Sequence, residues 1–403
     1  MKSNLQPKLA AVFGLNSLVL RVDFKQVIGQ EHIKAHLQTS VDNGRVAHAQ
    51  LFVGKAGTGI LPMAIAYASA LLCKPHQEGS PEYLLTKERV RKLAHPDLNF
   101  VFPINTNDTI KKHPVSDLFI DEWRSFVAEN PYGSQFEWLS SLGIAKKQGN
   151  INVDEALEMV KKLSLKAYEG GYKIIIVWMA DAMNTACANK ILKLVEEPPN
   201  NTVLLLLTEQ EEQIINTIRS RCQKLDFPLL SETQISQHLI DNQGVAQAKA
   251  LTTSRLAQGD YNKALQILDE GSDDTVFEQW FLTWVRNAFL AKGNKKAIQA
   301  LLKWSEDLAG EGRETQKKFL SYCMEFFRQA LLKNYGADSL VFFTPHDTKF
   351  DLNKFAPFVH QNNIFEITEQ LQDASYHIER NGNAKIILAD LSIKLTRLIH
   401  RKP

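Results

Sequence analysis

Residues 54–61 read Gly54-Lys55-Ala56-Gly57-Thr58-Gly59-Ile60-Leu61. This is the glycine frame of a phosphate-binding loop, in which backbone N–H groups at a helix N-terminus cradle an anion. The two positions that would supply charge chemistry are apolar. Ile60 stands where a lysine would reach the β- and γ-phosphates, and Leu61 where a hydroxyl would hold Mg²⁺. Such a loop can order backbone donors, but it has no group to stabilise the spread charge of a transferring phosphoryl group. Gly54, Gly57, Thr58 and Gly59 therefore read as a vestigial phosphate loop, with a structural turn as the favoured reading. Lys55 lies inside the loop but in the wrong place to serve the phosphates.

A phosphate loop needs a strand before it and a helix after it. Residues 50–53 supply a short apolar strand, and residues 64–72, rich in Ala and Leu, supply the helix. Pro62 falls near the first turn of that helix, where a missing N–H does no harm. A helix over 31–41 precedes the strand, with Ile33, Leu37 and Val41 on one face. Further along, helical spacing covers 151–165 and 184–195, and two continuous apolar runs, 173–179 and 203–207, read as buried strands. Such strands between helices predict a parallel sheet covered on both faces. Residues 103–150 read as an insertion with short helices. After Pro228 the character turns helical, with long helices expected over 277–290, 296–309, 315–332 and 383–400 and a linker over 336–360.

Composition bounds the rest. The 403 residues allow two or three domains, and the net charge of +2 makes no strong electrostatic case for or against nucleic acid. Cys73, Cys187, Cys222 and Cys323 form no close pair, which suits free thiols in a reducing compartment. No apolar run approaches the ~20 residues of a membrane span. Residues 1–20 lack the pattern of a signal peptide, so a cytoplasmic location is expected.

Four landmarks in order resemble the clamp-loader branch of the AAA+ family, as found in bacterial DNA polymerase III. They are Val27-Ile28-Gly29-Gln30, the loop Gly54–Gly59, the run Ile191-Leu192-Lys193-Leu194-Val195-Glu196-Glu197-Pro198-Pro199, and Ser220-Arg221-Cys222. The resemblance covers roughly residues 22–270. It implies an α/β P-loop (AAA+) core with a parallel sheet, then a small helical lid and an all-α C-terminal collar. The implied divisions are an N-terminal extension 1–21, a core 22–228 carrying the 103–150 insertion, a lid 229–272 and a collar 273–403.

The resemblance also assigns roles. The family's Mg²⁺-binding Asp and its neighbouring Glu fall on Trp178 and Met179, its polar sensor on Thr208, and its lid arginine on Asn262. Asp181, three residues past the Asp position, is expected to cap or close a loop. Arg221 would be an arginine finger acting in trans on a neighbouring subunit's ATP site, with Ser220 and Cys222 fixing the loop that aims it and Arg219 as a decoy. Where relatives carry a four-cysteine zinc module, this chain has only Cys73 and His76 ahead of His95-Pro96-Asp97, so no metal and no cofactor are expected. The implied partners are the tau/gamma motor subunits and the delta subunit of DNA polymerase III, the sliding clamp indirectly, and primed DNA through the complex. The implied function is that of an ATPase-inactive loader subunit. Two alternatives stay open from the residues alone: an active AAA+ ATPase of the clamp-loader or Holliday-junction-motor type, and a stand-alone DNA-binding module.

Overall fold

The computed structural model describes Leu20 and residues 23–402, apart from 146, 170, 269–273, 342–344, 346 and 348–349. The extension 1–21 thus lies, except for Leu20, outside the described residues. Five strands, β1 (Ala49–Gly54), β2 (Leu98–Val101), β3 (Lys173–Val177), β4 (Thr202–Thr208) and β5 (Gln223–Phe227), form one sheet in the order β2-β3-β4-β1-β5. Every neighbouring pair is parallel. β3 and β4 are buried at every position, as their apolar runs require.

The helices follow from the pleat. Ile174 and Ile176 of β3 join Val203, Leu205 and Leu207 of β4 in one core, together with α1 (Glu31–Asn43) and α2 (Ile60–Cys73). Ile175 and Val177 join Leu204 and Leu206 in the core on the other face, against α6 and α7, introduced below. The period-two alternation of strand side chains therefore gives a three-layer α/β/α core. The helix α2 is buried almost throughout, which its Ala- and Leu-rich sequence permits. It starts at Ile60, four residues before the run that announces it in the sequence.

Between α2 and β3 the chain forms α3 (Pro81–Arg91), α4 (Ile120–Glu129), α5 (Gln135–Ser141) and α6 (Val153–Ser164). The insertion contributes α4 and α5, whose Trp123, Phe126 and Trp138 extend the first core. Then come α7 (Thr185–Glu196), the single-turn α8 (Asn216–Arg219), α9 (Glu232–Gln243), α10 (Gln247–Ala257) and α11 (Tyr261–Leu268). In this part of the chain α3, β2, α8 and β5 go beyond the sequence expectation. The strand β5 is Gln-Lys-Leu-Asp-Phe at the sheet edge, and only Phe227 is buried, so it carries no apolar run to announce it.

The chain divides into two compact units, one built from residues up to Ile144 with Gln148–Ala264, the other containing Leu265–Pro403. The second is all helical among its described residues: α12 (Asp274–Leu290), α13 (Lys295–Ala309), α14 (Arg313–Asn334), α15 (Leu352–Phe355), α16 (Ile364–Glu379) and α17 (Ala384–Ile399). The linker expected over 336–360 contains the short α15, and α16 follows it. The Trp284 and Trp304 rings stack at 5.0 Å, and Trp284 Nε1 donates to Ser392 Oγ at 2.9 Å, so the indole is both packed and satisfied.

Candidate functional site: a closed phosphate loop and an exposed arginine

β1 runs into the glycine loop and α2 leaves it, which is the strand–loop–helix context a phosphate site needs. Gly57 and Gly59 hold φ of 70° and 92°, a region open to glycine at no cost. Thr58 is buried, and its Oγ1 donates to Lys55 O at 2.7 Å, closing the loop on itself. Gln30, from the Val27–Gln30 motif, sends its Nε2 to Thr58 O at 3.2 Å and to Pro228 O at 2.8 Å. The entry motif, the loop and the chain leaving β5 are thus tied by one amide. Ile60 and Leu61 are buried in the core, as apolar residues at these positions should be.

The loop is covered by the chain's own side chains. An ideal Cβ on Gly57 would lie 1.8 Å from Asp260 Oδ1 and 2.7 Å from Tyr261 N. The Tyr261 N–H donates to Gly57 O at 3.3 Å. Asp260 leads into α11, accepting the Lys263 N–H at 3.0 Å. Burial pushes its carboxyl up to about 6, against the lowering pull of the Lys263 N–H and cation. From the insertion, Tyr132 places its ring 3.1 Å from the Cβ position of Gly59, and its hydroxyl accepts the Ile28 N–H at 2.9 Å. Tyr132 and Tyr261 meet edge to face at 5.0 Å.

The other positions tied to ATP chemistry by the resemblance have structural partners. Trp178 follows β3, is 2 % exposed, and packs on Trp123 at 5.0 Å and Phe126 at 6.0 Å. Met179 takes a left-handed φ of 53° and is also buried. Thr208, at the end of β4, donates from Oγ1 to Asp181 Oδ1 at 2.6 Å, and its oxygen accepts the Gln210 N–H. Asp181 thus closes a loop, and burial raises its carboxyl despite the Thr208 bond. Asn262 is buried, accepting from Asn130 Nδ2 and donating to Glu137 Oε2, both at 2.6 Å.

Around the His95-Pro96-Asp97 segment stands a carboxylate network. Glu169 accepts from Thr86 Oγ1 and His95 Nε2 at 3.2 Å and pairs with Arg89 at 2.5 Å. Burial alone would raise its carboxyl, but the His95 bond, Thr86 and the Arg89 charge outweigh it and lower it. Asp97 accepts the N–H groups of Tyr168 and Glu169, so the His95-Pro96-Asp97 segment is an anchor for the turn before β3. Cys73 is buried with its thiol pushed up by desolvation. Among the described residues no cluster of three His, Cys, Asp or Glu side chains is arranged to hold a metal ion.

Arg221 lies between α8 and β5. Its guanidinium is 42 % exposed, pairs with Glu196 at 2.9 Å, and donates to Thr217 O at 3.0 Å. The register sets its distance from the loop. Gln223 sits beside Gln50 and Phe227 beside Gly54, so Arg221 enters at the opposite end of the sheet from the loop that follows Gly54. At about 3.3 Å per residue, roughly 15 Å of strand separates them. Ser220 is exposed and bonds weakly to Thr217 O at 3.4 Å. Cys222 is half-buried, and desolvation pushes its thiol up to about 11, which makes it inert at neutral pH.

The structure thus brings Gly57, Asn262 and the insertion together, and keeps Arg221 apart from them. Asn130, Tyr132, Glu137 and Asp260 carried no warning in the sequence. A family model described as "DNA polymerase III, delta subunit" matches residues 29–231. The chain belongs to this family. The matched segment begins at Gly29 of the entry motif and holds the loop, the Ile191–Pro199 run and Ser220-Arg221-Cys222. Among curated relatives, the DNA polymerase III subunit delta' of Bacillus subtilis is 29 % identical over 212 residues, 53 % of this chain and 51 % of the relative. The delta' subunit of Pseudomonas aeruginosa is 29 % identical over 184 residues, 45 % of this chain and 44 % of the relative. The chain spans about half the length of the curated delta' relatives it matches. A solved Thermotoga maritima DNA polymerase III gamma subunit-related protein is 14 % identical, with a TM-score of 0.37, covering 91 % of this chain and 99 % of that one. The chain is accordingly a clamp-loader family member of the delta-prime kind.

Proposed function

We propose that this chain is an ATPase-inactive delta-prime-like subunit of a DNA polymerase III clamp loader, which scaffolds the assembly and lends Arg221 in trans to a neighbour's ATP site. The observation that carries the reading is the opposition across the sheet. The phosphate loop is covered from within by Asp260 and Tyr132, while an exposed arginine stands at the far end of β5. Ile60, Leu61, Trp178 and Asn262 put no lysine, hydroxyl, carboxylate or arginine at the four positions to which the resemblance assigns ATP chemistry. An arginine is always charged and presents forked donors, so it suits an acceptor such as a phosphoryl group on an adjoining subunit. In known finger systems that contribution is worth ~10³–10⁵ in rate.

On this reading 22–228 is the core, 229–272 the lid and 273–403 the collar. The partners are the tau/gamma motor subunits and the delta subunit, with the sliding clamp and primed DNA reached through the complex in the cytoplasm. Ser220 and Cys222 shape the loop that aims Arg221. The test has two arms. The purified chain releases no phosphate from ATP above background. Arg221→Ala, at an exposed position, folds and assembles normally yet slows clamp- and DNA-stimulated hydrolysis by the reconstituted loader. Undiminished hydrolysis in that complex overturns the finger assignment, and turnover by the lone chain overturns the inactive reading.

A further inference from the structure

We propose that the insertion is an internal latch: Asn130, Tyr132 and Glu137 hold the start of α11 against the phosphate loop, with the Asp260 carboxylate packed on Gly57. This rests on reading the helices after β5 as the lid of a nucleotide-type core, and it assigns a role to an insertion that has none so far. In such a core the angle between lid and sheet would ordinarily depend on a bound ligand bridging the two. Here the bridge is made of side chains.

Five contacts converge on the start of α11. The Asp260 carboxylate lies so close to Gly57 that even a methyl group there would collide with it at 1.8 Å. The Tyr261 N–H is bonded to Gly57 O, and the Tyr261 ring is met by Tyr132, which is itself bonded to the Ile28 N–H. Asn262 is 3 % exposed and bonded on both sides of its amide by Asn130 and Glu137. Glu137 is held in turn by the Ser134 N–H and hydroxyl at 2.7 and 2.8 Å, which ties the acceptor to the start of α5. A buried amide with both ends satisfied fixes an orientation, and removing one partner strands the other. The carboxylate adds charge repulsion against any phosphate that would displace it, in surroundings where water screens little.

The consequence is a lid that needs no nucleotide to stay closed and that ATP does not move. Hydrogen exchange on the full chain reads this at the amides of residues 259–264. In the unaltered protein these amides exchange slowly, and millimolar Mg-ATP leaves them unchanged. Asn262→Ala, and separately Asn130→Ala, speeds their exchange by about tenfold, while β3 keeps its protection and reports that the sheet is intact. Exchange in both variants equal to that of the unaltered protein overturns the latch. So does Mg-ATP binding to the unaltered protein with a change of protection in 259–264. The outcome is independent of Arg221: an undiminished hydrolysis rate in the Arg221→Ala loader removes the finger and leaves the latch standing.

Discussion

Trp178 directly follows β3, at the place where the resemblance implies a metal-binding carboxylate in relatives. Its indole is wedged among Trp123 and Phe126, and the same cluster includes Phe102 and Trp138, with Phe102 stacked on Trp123 at 4.3 Å. A carboxylate in this aromatic cluster would be a buried charge, whereas the indole fills the space with apolar contacts. The ring helps hold the insertion on the sheet. Trp178→Ala should therefore destabilise the first unit by about 3–5 kcal/mol, the range for deleting a large buried aromatic side chain. Denaturant unfolding followed by intrinsic fluorescence measures it. A loss below about 1 kcal/mol would mean that the cluster does not depend on its central ring.

The element that joins the insertion to the sheet is α6. Its first turn carries Glu155, which is 2 % exposed and accepts the Ser116 N–H at 2.7 Å. Burial pushes this carboxyl up to about 7, against the lowering effect of the Ser116 bonds. The folded chain holds a proton here that the unfolded chain has lost above about pH 4.5, so stability contributed at this site falls as pH rises from about 4.5 to 7. The loss is on the order of 3 kcal/mol. Glu155→Gln keeps an acceptor for Ser116 and removes the proton equilibrium, and its unfolding free energy should vary less between pH 5 and 7 than that of the unaltered chain. Equal slopes in the two proteins would refute the assignment. Elements differ in how openly the sequence declares them. β3 and β4 are runs of Ile, Val and Leu because both faces are covered, and the runs announce them. β5 has only an edge to fill and reads as polar. In α3 the paired Leu84 and Leu85 face solvent while Thr86 and Val90 are buried, so its apolar positions do not trace a core face. α16 is different: Ile364, Ile367, Leu371, Ala374 and Ile378 do trace one, a signal present in the sequence but unused in the expectation. The glycine frame was readable because its spacing is local. The side chains that close it were not, since Asn130 and Asn262 meet across 132 residues and no local pattern links them.

For the whole molecule, the decisive relation is between two ends of one sheet. A finger that belonged to its own loop would have to cross roughly 15 Å of β1 and β5, beyond the reach of an arginine side chain, so Arg221 can serve a phosphoryl group only on another chain. Within the lone chain its charge is met by Glu196, an exposed pair of the kind worth at most about 1 kcal/mol, which on the proposed reading is a small cost to exchange for a phosphate. If one copy of this subunit enters each loader, an Arg221→Ala chain that still assembles should act as a poison. Mixed with unaltered subunit during reconstitution, it should lower clamp-stimulated ATP hydrolysis in linear proportion to its share of the mixture, because each ring either has the finger or lacks it. A Trp178→Ala chain, weakened in folding rather than in the finger, should be excluded from rings and lower the yield of complex instead of its specific rate. Size-exclusion chromatography of the mixtures, followed by phosphate release per assembled complex, separates the two. A specific rate that stays constant as the Arg221→Ala share rises would show that the arginine acts nowhere in the assembly.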